Sequence, residues 1–123
     1  MKTEYAEIEP FVTKDGSRIR ELMHPAEHAA RYSVSQQSLA EATVPVGMRT
    51  TLHRHQEMEE LYHVTGGQGL MILGGEQFAV TVGDTVCIPP GTAHCIENSG
   101  QGELKLLCCC SPAYSHEDTE LLE

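Results

Sequence analysis

The chain has 123 residues, 40% of them hydrophobic, and a formal charge of −10. That length suits one domain with one core and needs no disulfide staples. The acidity excludes nucleic acid and anionic membrane surfaces as partners, because both demand a basic footprint.

The opening stretch, MKTEYAEIEPF, is acidic and lacks the apolar centre of a signal peptide. No apolar run approaches the roughly 20 residues that cross a bilayer. A cytoplasmic location is therefore expected. Residues 1–32 read as a polar N-terminal arm with a turn at Asp15-Gly16, and Glu27 to Arg31 forms one helical turn or a loop. The arm is expected to pack on the main domain or on a partner subunit.

Residues 33–112 read as β structure. The segments SQQSLAEATV, RTTLHRH, ELYHVT, GLMIL, QFAVTV, DTVCIP, AHCIEN and ELKLLCCC are short and divided by Gly and Pro turns. Gly74-Gly75 between two apolar runs predicts a tight hairpin. So many short strands point to a sandwich or barrel, and the same glycines and prolines exclude a helical reading. Residues 113–123 form a C-terminal tail in which HEDTELL is either a short helix or loose, and no chemistry is evident there.

Five cysteines are present: Cys87, Cys95, Cys108, Cys109 and Cys110. The number is odd, three are adjacent, and no CxxC pair occurs. Reduced thiols are expected, with neither a disulfide framework nor a thiolate zinc site.

His53-Arg54-His55 places two imidazoles on one face of a strand, where both can reach one ion. Glu59 and Glu60 follow a possible turn at Gln56-Glu57-Met58, and His94 follows Pro89-Pro90-Gly91. Imidazoles with a carboxylate suit iron, manganese, nickel, cobalt or zinc better than calcium or magnesium.

The stretch Gly47-x5-His53-x-His55-x4-Glu60-x6-Gly67 resembles the first motif of the cupins. Gly83-x5-Pro89-x-Gly91-x2-His94-x3-Asn98 resembles the second. The 15 residues between Gly67 and Gly83 resemble the short spacing of small single-domain cupins. The resemblance implies an all-β double-stranded β-helix, a jelly-roll barrel, often dimeric, behind the N-terminal arm. It also implies one divalent transition metal held by His53, His55, Glu60 and His94. Glu59 with Gly66 fits the motif as well, but the run EELYHVTGGQG favours Glu60. Asn98 is expected to brace a turn.

Alternation along the strands extends the expected interior. Thr51 and Arg49 share the face of His53 and His55, so Arg49 is a candidate to bind a substrate carboxylate or phosphate. Tyr62 and Val64 share the face of Glu60, and Tyr62 is a candidate proton donor. Gln36 and Ser38 are further interior candidates, Gln36 for substrate. Leu104, Leu106, Cys108 and Cys110 should point inward and Leu107 and Cys109 outward. The functional expectation is a metal-dependent enzyme acting on a small polar metabolite. A dioxygenase comes first and a sugar isomerase or lyase second. The alternative is a non-catalytic cupin that binds or senses a small ligand.

Overall fold

The structure is a computed structural model that describes residues 1–30 and 33–123. Of the stretch Glu27 to Arg31, Arg31 lies outside the described residues. The preceding residues make a turn in which the His28 N–H donates to the His24 carbonyl. Among the described residues one 3-10 turn, Tyr5–Glu7, precedes eleven strands. These are β1 (Phe11–Val12), β2 (Arg18–Met23), β3 (Ser38–Val44), β4 (His53–His55), β5 (Glu59–Gly66) and β6 (Gln68–Leu73). They continue as β7 (Glu76–Thr81), β8 (Thr85–Ile88), β9 (His94–Asn98), β10 (Leu104–Ser111) and β11 (Thr119–Leu121).

The strands form two antiparallel sheets, ordered β1-β2-β3-β10-β5-β8 and β11-β4-β9-β6-β7. The two inner faces share one core, which is the jelly-roll arrangement. Alternation sets it: along β5 every second residue from Glu60 to Val64 is buried, and along β10 so are Leu104, Leu106, Cys108 and Cys110. Val44, Val64, Met71, Ile88, Ile96, Leu104 and Leu106 are at most 2% exposed and fill the interior between the sheets. Each contributes about 1.5–3 kcal/mol by leaving water.

Two glycine-bearing turns place these strands. Gly74-Gly75 joins β6 to β7 as a two-residue hairpin with Leu73 opposite Glu76. Gly67, at φ +79°, links β5 to β6 at a point where a Cβ would fall 2.5 Å from the Glu103 carbonyl oxygen, so no side chain fits. Asn98 ties a third turn: its Nδ2 donates to the Val44 and Gly102 carbonyls, and its Oδ1 accepts from the Gly100 N–H.

Two segments differ from expectation. Of RTTLHRH only His53–His55 is strand. Arg49 makes an isolated bridge with Glu97, and Thr50 pairs with Ile96 through both backbone and hydroxyl. The alternation therefore slips between Thr50 and His53. Thr50 is buried, Thr51 is only half-buried, and Arg49 is left outside. The tail segment HEDTELL is neither helix nor loose. Its residues Thr119–Leu121 pair with the open edge of β4, Thr119 opposite His55 and Leu121 opposite His53. Strands thus occur on both sides of residues 33–112, with β1 and β2 from the arm joining the first sheet and β11 from the tail joining the second.

Candidate metal centre

Three elements deliver the polar groups. On β4, His53 and His55 are 2% and 3% exposed, while Arg54 points outward to Glu120 at 2.8 Å. On β5, Glu60 is buried and Glu59 is exposed on the opposite face. On β9, His94 is fully buried and registers with His53. The turn before β9 is clamped to β4: Gly91, at φ +78°, donates its N–H to the His55 carbonyl at 2.6 Å. A residue with a Cβ adopts that backbone only with strain, which accounts for glycine between Pro90 and His94.

The three rings face one point. Their centroids lie 4.2–5.3 Å apart, and one nitrogen from each falls within 4.8 Å of the others. The outward nitrogens are all engaged. His53 Nδ1 donates to the Thr51 carbonyl at 2.7 Å and His94 Nδ1 to the Thr92 carbonyl at 2.9 Å. Carbonyls only accept, so both Nδ1 atoms carry protons. The Thr119 hydroxyl donates to the Ser115 carbonyl and so accepts from His55 Nδ1 at 2.9 Å. In neutral imidazoles each Nε2 is then left with a lone pair aimed inward.

The fourth group is Glu60. Its Oε1 lies 3.2 Å from His55 Nε2 and 3.5 Å from His94 Nε2. All three of these atoms are buried and have no hydrogen-bond partner among the described residues. Lone pairs facing a carboxylate oxygen repel unless positive charge lies between them. Burial pushes the Glu60 carboxyl up, and positive charge at the His55 and His94 nitrogens, carried by protons or by a shared cation, is what would hold it down, at about 2. Burial, then the neighbouring His94, lowers the pKa of His53 and favours its neutral, metal-ready form. The donor set fits a divalent transition ion, and the buried unpartnered atoms are those such an ion would satisfy.

A cavity of about 50 Å³ adjoins the centre. Tyr62 lines it, 4% exposed, with its ring steeply inclined to that of His94, 6.0 Å between centroids. Burial and the Glu60 charge keep its hydroxyl protonated, well above the ordinary tyrosine value. Cys108 and Cys110 line it too, and Cys110 Sγ donates to Glu60 Oε2 at 3.3 Å. Burial raises both thiols. Arg49 and Gln36 are not brought to the cavity. Arg49 is held by the Glu123 carboxylate at 2.8 Å and by Cys95 Sγ, and Gln36 is exposed. The slip in alternation before His53 explains Arg49, and Gln36 precedes the start of β3 at Ser38, which does line the cavity.

Asp15, Glu21, Tyr114 and Thr119 also line the cavity, and sequence reasoning did not single them out as site residues. Asp15 was visible only as a turn residue. Thr119 and Tyr114 lie in a tail whose short strand has no repeat long enough to reveal a face.

Comparison with known proteins agrees with this architecture. The family model described as Cupin domain matches residues 40–110. An uncharacterized protein of Methanocaldococcus jannaschii is 57% identical over 123 residues, covering 100% of this chain and 95% of that protein. The oxalate-binding protein of Thermotoga maritima is 31% identical over 68 residues, 55% of this chain and 56% of that protein. Among solved structures, a predicted oxalate decarboxylase from Thermotoga maritima superposes with a TM-score of 0.76 at 24% identity, covering 91% of this chain and 99% of that one. The Streptomyces nucleoside dehydratase Pac13 superposes with a TM-score of 0.76 at 19% identity, covering 100% and 91%.

Proposed function

The chain belongs to the cupin domain family, and from that premise we propose that it is a metal-dependent enzyme acting on a small polar metabolite. The observation that carries this reading is the set of inward, unpartnered atoms of His55, Glu60 and His94, completed by His53, beside a cavity. These four residues would hold one divalent ion, of iron, manganese, nickel, cobalt or zinc. Such an ion supplies Lewis-acid polarisation and, where it is redox-active, oxygen activation.

The chain's own groups supply the rest. The Thr51, Thr92 and Thr119 oxygens fix the three rings by their Nδ1 protons. Cys110 steadies the second oxygen of Glu60. Tyr62 keeps its proton and can donate a hydrogen bond to a bound metabolite. The apolar wall around Ala40, Ala42 and Ile96 limits water beside the reacting groups.

Dioxygenase activity is our first assignment within this reading. Isomerase or lyase activity is the second, supported by the Asp15 carboxylate 3.7 Å from His53, which can accept a proton from a bound molecule. Non-catalytic ligand binding is a separate reading, favoured by the similarity to an oxalate-binding protein. A homodimer in the cytoplasm belongs to the same proposal. The partly exposed Leu39 and Leu61, which flank Cys109 on the outer face of the first sheet, support the dimer.

Anaerobic reconstitution with Fe(II), followed by oxygen uptake across a panel of small hydroxylated and carboxylated metabolites, tests the proposal. Oxygen consumption with one of them, abolished by His94→Ala, is expected of the first assignment. Turnover that proceeds equally under argon selects the second. No turnover with any compound favours the binding protein.

A further inference from the structure

The hairpin of the N-terminal arm reaches the metal centre. Residues 13–17 join β1 to β2, and the loop is closed by Thr13 N–H donating to the Ser17 carbonyl and Gly16 N–H to the Thr13 carbonyl. Within it Asp15 is held by one oxygen. Its Oδ1 accepts from the Thr13 hydroxyl at 2.7 Å, the Ser17 hydroxyl at 2.7 Å and the Ser17 N–H at 2.9 Å.

The loop is pinned to the two residues that orient the β4 histidines. Thr51 N–H donates to the Asp15 carbonyl at 2.7 Å, and the Thr51 carbonyl is the one that orients His53. Lys14 Nζ donates to the carbonyl of Thr119 at 2.7 Å, and the Thr119 hydroxyl orients His55. With Oδ1 saturated, Oδ2 is directed to the Nε2 side of His53, 3.7 Å away, on the cavity face of the ring.

A second carboxyl follows on β2. Glu21 lines the same cavity, is 8% exposed, and its Oε1 has no hydrogen-bond partner among the described residues. Its row across the first sheet runs through Ala40 and Cys108 to Tyr62, none of them basic, and the charged groups that act on it are His24 and Glu27 along its own strand end.

We propose that Asp15 and Glu21 form an acceptor wall that selects the occupant of the centre. The wall favours a molecule bearing hydroxyl or amine hydrogens, a polyol or amino alcohol, over a carboxylate anion. The inference rests on the metal-centre reading above. An O–H or N–H beside Asp15 Oδ2 gains a charge-assisted hydrogen bond, whereas an anion there meets a like charge in a site that water screens poorly. Glu21 extends the wall with an oxygen that is buried without a partner and is satisfied when a donor arrives.

The test uses the full chain loaded with Co(II), with binding followed by the visible bands of the ion. The probes are 2-aminoethanol and glycolate, which share a hydroxymethyl group and differ at the other end. Asp15→Asn, which preserves the shape of the side chain, is compared with wild type at Co(II) concentrations that saturate both proteins, so that weaker metal binding does not enter the ratio. It should raise the glycolate-to-aminoethanol affinity ratio at least thirtyfold. Glu21→Gln, which leaves the loop's hydrogen bonds intact, should raise the ratio at least threefold. Glu76→Gln, at an exposed position, should leave it unchanged. A ratio unmoved by both Asp15→Asn and Glu21→Gln overturns the proposal, as does a wild-type protein that binds neither probe. Co(II) uptake is measured first: equal uptake by wild type and His94→Ala would refute the metal centre, and the wall with it.

Discussion

Glu60, His55 and His94 each bury a polar atom with no hydrogen-bond partner among the described residues, an arrangement that costs about 1–3 kcal/mol per group if left unsatisfied. On the proposed reading one cation would satisfy all three atoms, with His53 as its further ligand. Glu21 is a different case, because its free oxygen lies along the cavity wall on β2. Burial pushes its carboxyl above the ordinary value of 4.5. The folded chain therefore holds that proton more tightly than the unfolded chain, so stability falls as pH rises from 4.5 through the folded value. Glu21→Gln removes this loss. Thermal unfolding should show a gain of about 2–5 °C at pH 8 and none at pH 4. An equal gain at both values would show that the carboxyl is not ionising in a buried setting.

At the scale of elements, each histidine is aimed by a neighbouring backbone or hydroxyl oxygen, and β11 provides the one for His55. Thr119→Val keeps the shape of that strand but removes the acceptor for His55 Nδ1–H. It should weaken metal binding about 10–100-fold in competition with a chelator, with little change in fold. The same tail holds the turn between β4 and β5, where Asp118 accepts the N–H groups of Glu57 and Met58. Alternation made β5 and β10 legible in the sequence, because one face of each is buried and a period of two leaves no freedom. The preference for Glu60 over Glu59 came from the motif, and the structure buries Glu60 and exposes Glu59. Arg49 was illegible for the converse reason: the strand breaks before His53, and no local pattern records the slip. β11 is three residues long, and its pairing with β4 is a contact across more than 60 residues of sequence. Asp15 is equally non-local, since its role depends on how a hairpin folds over a strand far along the chain.

For the whole molecule, the two sheets enclose an apolar core and a cavity whose largely apolar wall carries a few polar groups. The arm and the tail close over that cavity and bring Asp15, Glu21, Tyr114 and Thr119 to its wall. Among the described residues no helix is long and apolar enough to cross a membrane. A metal bound only by the folded chain links all these parts to one stability: at a thousandfold excess over its dissociation constant it adds about 4 kcal/mol. The central claim is that His53, His55, Glu60 and His94 together hold that metal. X-ray absorption on the Co(II)-loaded chain tests it most directly, because scattering from imidazole rings counts histidine ligands. Wild type should show three imidazoles with oxygen donors, at about 2.0–2.2 Å for first-row ions of this kind. Glu60→Gln should lower uptake sharply, and Glu59→Gln should leave it unchanged. Fewer than three imidazoles in wild type, or an unchanged spectrum in His53→Ala/His94→Ala, would contradict the account.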